Sequence, residues 1–289
     1  MSHLIQVGAG SGGMPVLDMV CRDPRITRVT LIEPDVYKPH NVHRHLFPLA
    51  AVGEKKAELA RQWLLDRRPD LQIDVLHCDL LDPAWASAID EATAAADIGV
   101  CAADNEQAKF HWDALMRRHA KAWTLGEVLS GGIGGFVHWF APGGPCYGCI
   151  HSRLQRSVQV DNPKAPDYSA PGGPVHETKV PASKASIGVI AALHAQITLQ
   201  LLGHAADYNP GFNSMLLTLE KVPGVFEEAY RPFRFKIDRS PQCLVCRPES
   251  ATVPQTGADL DAALDQALRR VGRSEPEALA TGEKLTISN

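Results

Sequence analysis

The sequence lacks the features that mark several special classes of protein. Its 289 residues contain no run of about 18 apolar residues, so we expect no membrane-spanning helix. The formal net charge is only −4, which gives no reason to expect a nucleic acid or an anionic membrane as a partner. The N-terminal stretch "MSHLIQVGAG" shows none of the basic and apolar regions of a signal peptide. We therefore expect a cytoplasmic globular protein with one large domain, with or without appendages.

Cysteine is scarce, and its pattern argues against a disulfide framework, because seven cysteines are an odd number for a chain of cytosolic character. Cys21, Cys78 and Cys101 fall within predicted core segments and are expected to be structural. The other four are Cys146, Cys149, Cys243 and Cys246. They form two CxxC motifs, which suit one tetrahedral zinc ion, although two unrelated pairs are the alternative. A thioredoxin-type redox pair is not expected, because neither motif is predicted to open a helix after a buried strand.

The first half of the chain alternates between strand-like and helix-like segments. Four apolar or alternating segments predict strands at residues 3–8, 28–33, 71–78 and 97–104. Helical spacing of apolar residues predicts helices at about residues 12–21 and 53–68, and in the segment that ends near residue 118. This alternation predicts an α/β fold with a Rossmann-like, doubly wound and mainly parallel sheet.

The second half predicts antiparallel strands that extend this sheet, at residues 136–142, 214–220 and 233–238. Residues 151–183 hold five prolines and no clear period, which indicates a long crossover loop. Residues 184–203 predict a strongly apolar helix. The main domain is predicted to span residues 1–248, and the polar remainder, 249–289, is predicted to hold a short helix at about 260–271 and a mobile tail.

A glycine-rich stretch follows the first predicted strand. In "GAGSGG", Gly8, Gly10 and Gly13 match the GxGxxG pattern, and Gly12 lies beside them. Glycines at these positions permit a tight turn and bring phosphate close to the N-terminus of a helix. Glu33 ends the second predicted strand, where an acid can accept hydrogen bonds from ribose hydroxyls. On these residues alone, a nicotinamide or flavin dehydrogenase is the favoured interpretation.

Further polar residues argue against hydride transfer. The polar residues at predicted strand ends and in the segments that follow are Glu33, Asp35, Asn41, Arg44, Lys56 and Asp104. In a doubly wound sheet these positions line the ligand crevice, so the side chains can converge. Two cations and an acid beside a phosphate-binding loop suit the neutralisation of phosphates and the binding of magnesium. Taken singly, each of these residues is as well explained as a solvated surface charge.

Four stretches together resemble a known family. "GAGSGG", "LIEPDVYKPHNVHRHLF", "VGEKKA" and "AADN" occur in the order and at the spacing found in the activating enzymes of ubiquitin and their bacterial relatives ThiF and MoeB. The resemblance covers roughly residues 3–246. The four motifs together are far more specific than the glycine pattern alone.

The resemblance implies roles for the motif residues. Glu33 would hold the ribose of ATP, and Asn41, Arg44 and Lys56 would hold its phosphates. Asp104 would coordinate magnesium at the reacting phosphate, and Arg44, Lys56 and Asp104 would be the catalytic residues. The implied nucleotide contacts are Gly8, Gly10, Gly12, Gly13, Glu33, Asp35, Asn41, Arg44, Lys56, Asp104 and Asn105. Lys55 is an alternative to Lys56, but the spacing in the family favours Lys56.

The implied reaction is the adenylation of a carboxylate. A C-terminal carboxylate, in the family that of the last glycine of a ubiquitin-like protein, attacks the α-phosphate of ATP, and pyrophosphate leaves. Positioned cations and magnesium stabilise the charge that spreads over the phosphates. No general base is required, because the carboxylate is already ionised at neutral pH. The resemblance also implies zinc at the two CxxC motifs and a homodimer.

Two features depart from the family pattern. His45 stands where the family has glutamine, and the pair "RH" is still expected to contact the phosphate region. Many bacterial members carry an arginine, in a helix before the first strand, that reaches the site of the partner subunit. This sequence begins only seven residues before Gly8. That arginine therefore comes from elsewhere, or the protein works without it.

Residues 150–183 contain no cysteine, whereas ubiquitin-activating enzymes proper carry a nucleophilic cysteine in this crossover loop. Three explanations are open. The enzyme stops at the acyl-adenylate, it passes the acyl group directly to a nucleophile of a partner, or a hydroxyl group forms an oxyester. The hydroxyl candidates are Ser169, Thr178 and Ser183, with His176 as the nearby base. The oxyester is the least favoured, because an alcohol without a base is a weak nucleophile.

We therefore expect an enzyme that uses ATP and magnesium to adenylate a ubiquitin-like protein and passes the acyl group to a partner, such as a conjugating-enzyme-like protein. The "NVHRH" variant and the missing loop cysteine favour a bacterial ubiquitin-like conjugation system, with antiviral defence as its setting. The alternatives are sulfur-carrier activation for thiamine or molybdopterin synthesis, peptide adenylation in antibiotic biosynthesis, and a non-catalytic nucleotide-binding scaffold. A dehydrogenase is the least favoured.

Overall fold

The computed structural model describes residues 1–154, 182–203 and 208–247. The described residues up to Cys246 belong to one compact unit. Most of the predicted crossover loop, and the predicted helix and tail of the C-terminal segment, lie outside the described residues. The domain boundary after residue 248 therefore stays a prediction.

The regular elements begin with an alternation of strands and helices and end with strands. The strands are β1 (Ser2–Val7), β2 (Ile26–Ile32), β3 (Gln72–Leu76), β4 (Ile98–Cys101), β5 (Ala122–Val128), β6 (Gly134–Phe140), β7 (Ser214–Thr218) and β8 (Pro232–Phe235). The α-helices are α1 (Gly13–Cys21), α2 (Lys56–Leu65), α3 (Ala86–Ala95), α4 (Glu106–Arg118), α5 (Tyr147–Arg153) and α6 (Lys184–Gly203). The short 3₁₀ turns are Pro39–Asn41, Leu49–Ala51, Pro83–Trp85 and Ser130–Gly132.

All eight strands form one mixed sheet with the order β3-β2-β1-β4-β5-β6-β7-β8. The first five run parallel, and the last three extend the sheet with antiparallel pairs. The strand order reverses between β1 and β4, so the crevice at the carboxyl ends of these strands is the expected place for a ligand. The predicted mainly parallel α/β sheet with an antiparallel extension is confirmed.

Helices cover both faces of the sheet. On one face, α1 packs against α2 and α6, and α6 also lies against β5 and β6. On the other face, α4 contacts α3, α5 and β4. Successive strand residues point to opposite faces, so that Leu4 and Leu31 enter the first core while Ile5 and Ile32 enter the second. This burial of both faces explains why the central strands β1 and β4 are largely buried.

Local signals in the sequence account for the ends of α4. The side-chain oxygen of Asn105 accepts a hydrogen bond from the backbone N–H of Ala108 at 2.7 Å, which caps the first turn. Glu106 lies in that first turn, and Arg117 and Arg118 lie in the last, where each charge interacts favourably with the helix dipole.

Helix α6 is long and apolar enough to cross a membrane by length and composition alone. It contacts α1, β5 and β6, and eight of its side chains are buried in this structure. One of them, His194, is 2% exposed, and its Nε2 lies 2.9 Å from the hydroxyl of Thr124. The core helix of a globular domain passes the same test of length and composition, and the contacts of α6 are those of a core helix.

Three elements differ from the prediction. The sequence analysis did not predict β5 or α3, because "AWTLGEV" contains a glycine and an acid and "ASAIDEATAA" is short and rich in alanine. The predicted loop 151–183 begins too early, since α5 continues to Arg153. The expectation that neither CxxC opens a helix is wrong, because Cys146 is the N-cap of α5 and follows the largely buried strand β6.

Candidate active site

The loop between β1 and α1 is tight, and glycine is required at two of its positions. Gly8 has a φ of +89°, and a Cβ there would lie 2.6 Å from the carbonyl oxygen of Ala102. A Cβ on Gly13 would collide with the carbonyl oxygen of Gly8. Gln6 Nε2 donates to the carbonyl oxygens of Gly8 at 2.8 Å and Gly13 at 2.9 Å. By contrast, a Cβ on Gly10 would meet nothing within 4 Å, so the loop is closed towards β4 and open at Gly10.

The backbone of Ala9, at the centre of this loop, is held at both of its polar groups. Its N–H donates to Glu33 Oε2 at 2.5 Å, and its carbonyl oxygen lies 2.8 Å from His45 Nε2. Both partners are buried, with exposures of 4% and 7%. The glycine loop is therefore fixed before any ligand is added.

Glu33 directly follows β2, as the prediction of an acid at the strand end requires. Besides the bond to Ala9, it accepts a hydrogen bond from the backbone N–H of Asp35 at 2.9 Å. Burial raises the pKa of its carboxyl group, while the charge of Lys56 and the two backbone hydrogen bonds oppose the rise. A carboxylate offers about four acceptor positions, so these two bonds leave room for ribose hydroxyls.

His45 belongs to the support of the loop. Its ring packs against Tyr37 and Phe47, with ring centroids 5.2 Å and 4.5 Å away. Burial lowers the pKa of His45 to about 4, and the positive charge of Lys56 acts in the same direction. The neutral ring must donate from Nε2, because the carbonyl of Ala9 can only accept. The sequence analysis expected His45 in the phosphate region, and the structure places its ring against the backbone that would hold the phosphates.

Lys56 is the first residue of α2 and is 6% exposed. Its Nζ lies 2.6 Å from Oδ2 of Asp35, whose side chain is 56% exposed. Its charge also acts on the nearby carboxylate of Glu33. Lys55, the alternative, is exposed and only precedes the helix as its N-cap. The side chain of Lys56 therefore lies beside Asp35 and close to Glu33, which binds the glycine loop.

Two further predicted phosphate ligands lie in the segment after Asp35. Asn41 ends a 3₁₀ turn, and its Oδ1 accepts a hydrogen bond from the backbone N–H of Lys38 at 2.9 Å. Arg44 is partly buried, and its Nε is fully buried. Burial lowers the pKa of His40, and the charges of Lys38, Arg44 and Lys56 lower it further. This segment therefore carries a concentrated positive charge that suits an anion.

Asp104 and Asn105 lie after β4, next to the glycine loop. Ala102, two residues before Asp104, is the residue whose backbone approaches Gly8 most closely. Asp104 is exposed and makes no ion pair with any residue that the structure describes. Asn105 uses its side-chain oxygen to cap α4. Direct binding of nucleotide or magnesium by these two residues stays a prediction.

Four buried polar atoms of residues around the loop have no hydrogen-bond partner in the described part of the chain. They are Gln6 Oε1, Arg44 Nε, His45 Nδ1 and Lys184 Nζ. Native proteins rarely leave buried polar atoms unpaired, so these atoms suit a polar ligand. The sequence analysis did not select Lys184. The available signal was one lysine at the start of a helix that is otherwise apolar.

A buried network of charged side chains begins at Glu106, the residue directly after Asn105. Lys109 Nζ lies 2.7 Å from Glu106 Oε1 and 2.6 Å from Glu127 Oε1. The hydroxyl of Tyr147 donates to Glu106 Oε2 at 2.7 Å, and His138 Nε2 lies 3.1 Å from Glu127 Oε2. Burial lowers the pKa of Lys109, but the charges of both glutamates outweigh this effect and raise it. The network, which sequence analysis missed, joins the first turn of α4 to β5, β6 and α5.

The four cysteines of the CxxC motifs meet in one buried cluster, and their Sγ atoms all lie within 4.8 Å of one another. The closest Sγ–Sγ distances are 3.5 Å, for Cys146 with Cys243 and for Cys149 with Cys246. Zn–S bonds of about 2.3 Å in a tetrahedron place sulfurs about 3.8 Å apart. The arrangement therefore fits one zinc ion and argues against two unrelated pairs.

One candidate nucleophile of the crossover loop lies among the described residues. Ser183 Oγ accepts a hydrogen bond from the backbone N–H of Ser186 at 3.0 Å and so caps the start of α6. This role competes with a role as a nucleophile. Ser169, Thr178 and His176 lie outside the described residues.

A cavity of about 400 Å³ lies elsewhere, at the end of α4 and beside the turn at Pro142–Pro145. Arg117, Lys121 and Trp123 line it, and it contains none of the predicted nucleotide ligands. We place the site at the glycine loop rather than in this cavity, because the anion-binding geometry of a glycine loop before a helix N-terminus is found at the loop.

Comparison with known proteins identifies the family of the chain. The chain matches the ThiF family over residues 1–244 and belongs to that family. Its fold is similar to that of E. coli MccB solved with ATP, with a TM-score of 0.64 and 19% identity over 85% of this chain and 66% of the MccB chain. MccB in complex with N-formylated MccA, described as a microcin C7 biosynthetic enzyme, gives a TM-score of 0.62 and 19% identity over 85% of this chain and 67% of that chain.

The chain thus spans about two-thirds of the length of the MccB chains. At 19% identity the likeness establishes the fold and leaves the substrate open. No curated protein sequence is significantly similar to the chain.

The two kinds of loop glycine should respond differently to substitution. Gly13→Ala should lower the free energy of unfolding by about 1–3 kcal/mol, because its Cβ would collide with the backbone of Gly8. Gly10→Ala should leave stability unchanged and weaken the binding of nucleotide, because its Cβ points into open space. Denaturant unfolding and calorimetric titration with ATP would measure the two effects. A Gly10→Ala variant that binds ATP normally would contradict the ligand's position.

His45→Gln should remove a pH-dependent part of the stability. The pKa of His45 is about 4 in the folded protein and about 6.5 in the unfolded chain. As the pH falls from 6.5 to 4, the unfolded chain binds a proton that the folded protein does not, so stability is lost in this window and is fully present above it.

Urea unfolding at pH 7 and at pH 4 should therefore show a smaller loss of stability for His45→Gln, by up to about 3 kcal/mol. Glutamine can still donate to the carbonyl of Ala9, so the loop support itself is retained. An equal loss in both proteins would show that His45 is not held neutral.

The cysteine cluster predicts about one zinc ion per chain by elemental analysis. Cys149→Ser should remove the zinc and lower the melting temperature. Cys78→Ala is the matched control, since this buried cysteine lies outside the cluster and should keep the zinc. A stably folded, metal-free wild-type protein would refute the zinc site.

Proposed function

We propose that this protein binds ATP at the glycine loop and adenylates the C-terminal carboxylate of a small protein or peptide, with release of pyrophosphate. The observation that carries the proposal is the glycine loop fixed by Glu33 and His45, with the ammonium group of Lys56 close to Glu33 and with the buried Nε of Arg44 in the segment after β2. Membership of the ThiF family supports it, as does the likeness to MccB, which was solved with ATP.

Each residue has a physical task in this proposal. The N–H groups of the open glycine loop and the N-terminus of α1 attract the phosphates. Glu33 accepts hydrogen bonds from the ribose. Arg44 and Lys56, with the amide of Asn41, offset the negative charge that develops as the carboxylate attacks the α-phosphate. Before ATP binds, the 2.6 Å ion pair with Asp35 holds the side chain of Lys56 in place. Bound ATP then gives Lys56 a second anion.

Asp104 is the residue proposed to hold magnesium. Mg²⁺ usually takes one or two protein carboxylates and completes its shell with water and phosphate oxygens. One exposed acid beside the glycine loop is therefore enough, provided that ATP is present. When bound, the ion would neutralise charge on the departing pyrophosphate. Zinc at the four cysteines is proposed to be structural and to take no part in the reaction.

The acceptor is proposed to be a ubiquitin-like protein with a C-terminal glycine, as the motif resemblance implies. With no cysteine in residues 150–183, the acyl group would pass to a partner such as a conjugating-enzyme-like protein. A short peptide is the second candidate, because MccB has been solved with the MccA peptide. The homodimer, the cytoplasmic location and a bacterial conjugation system remain proposals from the resemblance. A non-catalytic scaffold is disfavoured, since every charged motif residue is present.

ATP–pyrophosphate exchange tests the proposal directly. Exchange should appear only when a suitable small protein or peptide is added. The same molecule with an amidated C-terminus should give none, because it lacks the attacking carboxylate. ATP binding without exchange for any acceptor would favour the scaffold, and binding of NAD in place of ATP would favour a dehydrogenase.

Lys56→Ala and Asp104→Ala should each lower the exchange rate by at least about 100-fold while the protein stays folded, because each removes a charge that acts on the phosphates. The matched control is Lys55→Ala, which removes an exposed lysine next to Lys56 and should exchange normally. Circular dichroism checks the fold of each variant. Full activity in either variant would remove the role assigned to that residue.

A further inference from the structure

The first turn of α6 lies against the glycine loop, although the two are far apart in the chain. Ile187 Cγ2 lies 4.0 Å from the point that a Cβ on Gly12 would occupy, and Gly12 is the N-cap of α1. A Cβ on Gly132 would lie 2.8 Å from the side-chain oxygen of Ser186. The start of α6 is thus held between the N-terminus of α1 and the turn that follows β5.

Lys184, the first residue of α6, breaks two local rules. A cation in the first turn meets the positive end of the helix dipole, and α6 has no acidic residue in that turn to offset it. Its Nζ is buried and has no hydrogen-bond partner in the described part of the chain. An unpaired buried ammonium group is destabilising. Such violations of local rules concentrate at functional sites.

The positive charge of Lys184 acts on a residue that supports the glycine loop. It acts on His45, which binds the carbonyl of Ala9. Burial lowers the pKa of Lys184 itself. An anion beside its Nζ would remove both the missing hydrogen bonds and the missing counter-charge. The first turn of α6 lies against Gly12, at the N-terminus of α1, where phosphates are expected.

We propose that Lys184 is a further phosphate-binding residue of this site, and that its Nζ donates a hydrogen bond to the phosphate chain of the bound nucleotide. The inference rests on the proposed function, since it requires ATP at the glycine loop. Three lysine and arginine side chains, from the segment after β2, from α2 and from α6, then approach the phosphates from different sides.

Calorimetric titration of the full-length protein tests the inference. Lys184→Met removes the charge but keeps an unbranched side chain. Its affinity for ATP should fall by about ten- to a hundred-fold. Its affinity for adenosine, which has no phosphate, should not change. Lys184→Arg should restore most of the affinity for ATP, and Lys55→Met, at the exposed start of α2, should bind like the wild type.

Thermal unfolding separates a ligand-binding role from a structural one. Without ligand, Lys184→Met should melt at the same temperature as the wild type or higher, because a buried unpaired charge has been removed. The rise in melting temperature on adding ATP should be smaller than in the wild type.

Three results would overturn the inference. A Lys184→Met variant that melts lower but binds ATP normally would make Lys184 structural. Normal ATP affinity with a raised KM for the acceptor would place the amine at the acceptor carboxylate instead. A wild-type protein that binds no ATP would overturn the proposed function itself, and this result is visible in the wild-type titration alone.

Discussion

The candidate site depends on how the backbone of one residue, Ala9, is held. Its N–H and its carbonyl are bound by side chains from two different places, Glu33 at the end of β2 and His45 in the segment that follows. Both bonds are buried, where hydrogen bonds are electrostatically stronger than in water. The clamp requires an accepting oxygen on Glu33 and a proton on Nε2 of His45, and burial keeps the ring neutral, with this one proton. The shape of the phosphate-binding loop is therefore coupled to the whole Glu33–Phe47 segment.

The second constraint is the set of buried positively charged groups around this loop. Lys56 has a carboxylate partner in Asp35, whereas the buried Nε of Arg44 and the buried Nζ of Lys184 have no hydrogen-bond partner among the residues described. Keeping these groups buried without an anion costs free energy that folding must supply elsewhere. The same arrangement would stabilise the triphosphate proposed to bind there, without further reorganisation. The free energy of the site would then be lower with the anion bound than without it, as is expected of a preorganised site.

The cysteine cluster contributes to the site through α4. Tyr147, in the first CxxC motif, binds α4 at two points, because its N–H donates to Asp113 at 3.0 Å and its hydroxyl donates to Glu106. Glu106 opens α4 directly after Asp104 and Asn105. A metal that fixes α5 would therefore also fix the start of α4. The four cysteines are thus linked to the start of α4 through Tyr147.

The comparison of sequence with structure shows which kinds of information are local. The glycine loop, Glu33 and the buried Lys56 could be predicted, because their signals are a strand, a turn and a helix start that are consecutive in the chain. Strand β5 could not, since "AWTLGEV" has no clear period and is ordered by pairing with β4 and β6 on either side.

The roles of His45 and Lys184 depend still more on contacts between distant segments. From sequence alone, His45 is only a departure from the family pattern. The structure shows that its Nε2 binds the carbonyl oxygen of Ala9, 36 positions away. From sequence alone, Lys184 is only a charged residue on an apolar helix. The structure shows that the first turn of α6 lies against Gly12. A motif search compares residues at fixed spacing, so it finds the side of the site formed by β1, β2 and α2. The side formed by α6 is defined by packing alone, and its cation becomes visible as a functional residue only through its burial and its lack of a partner.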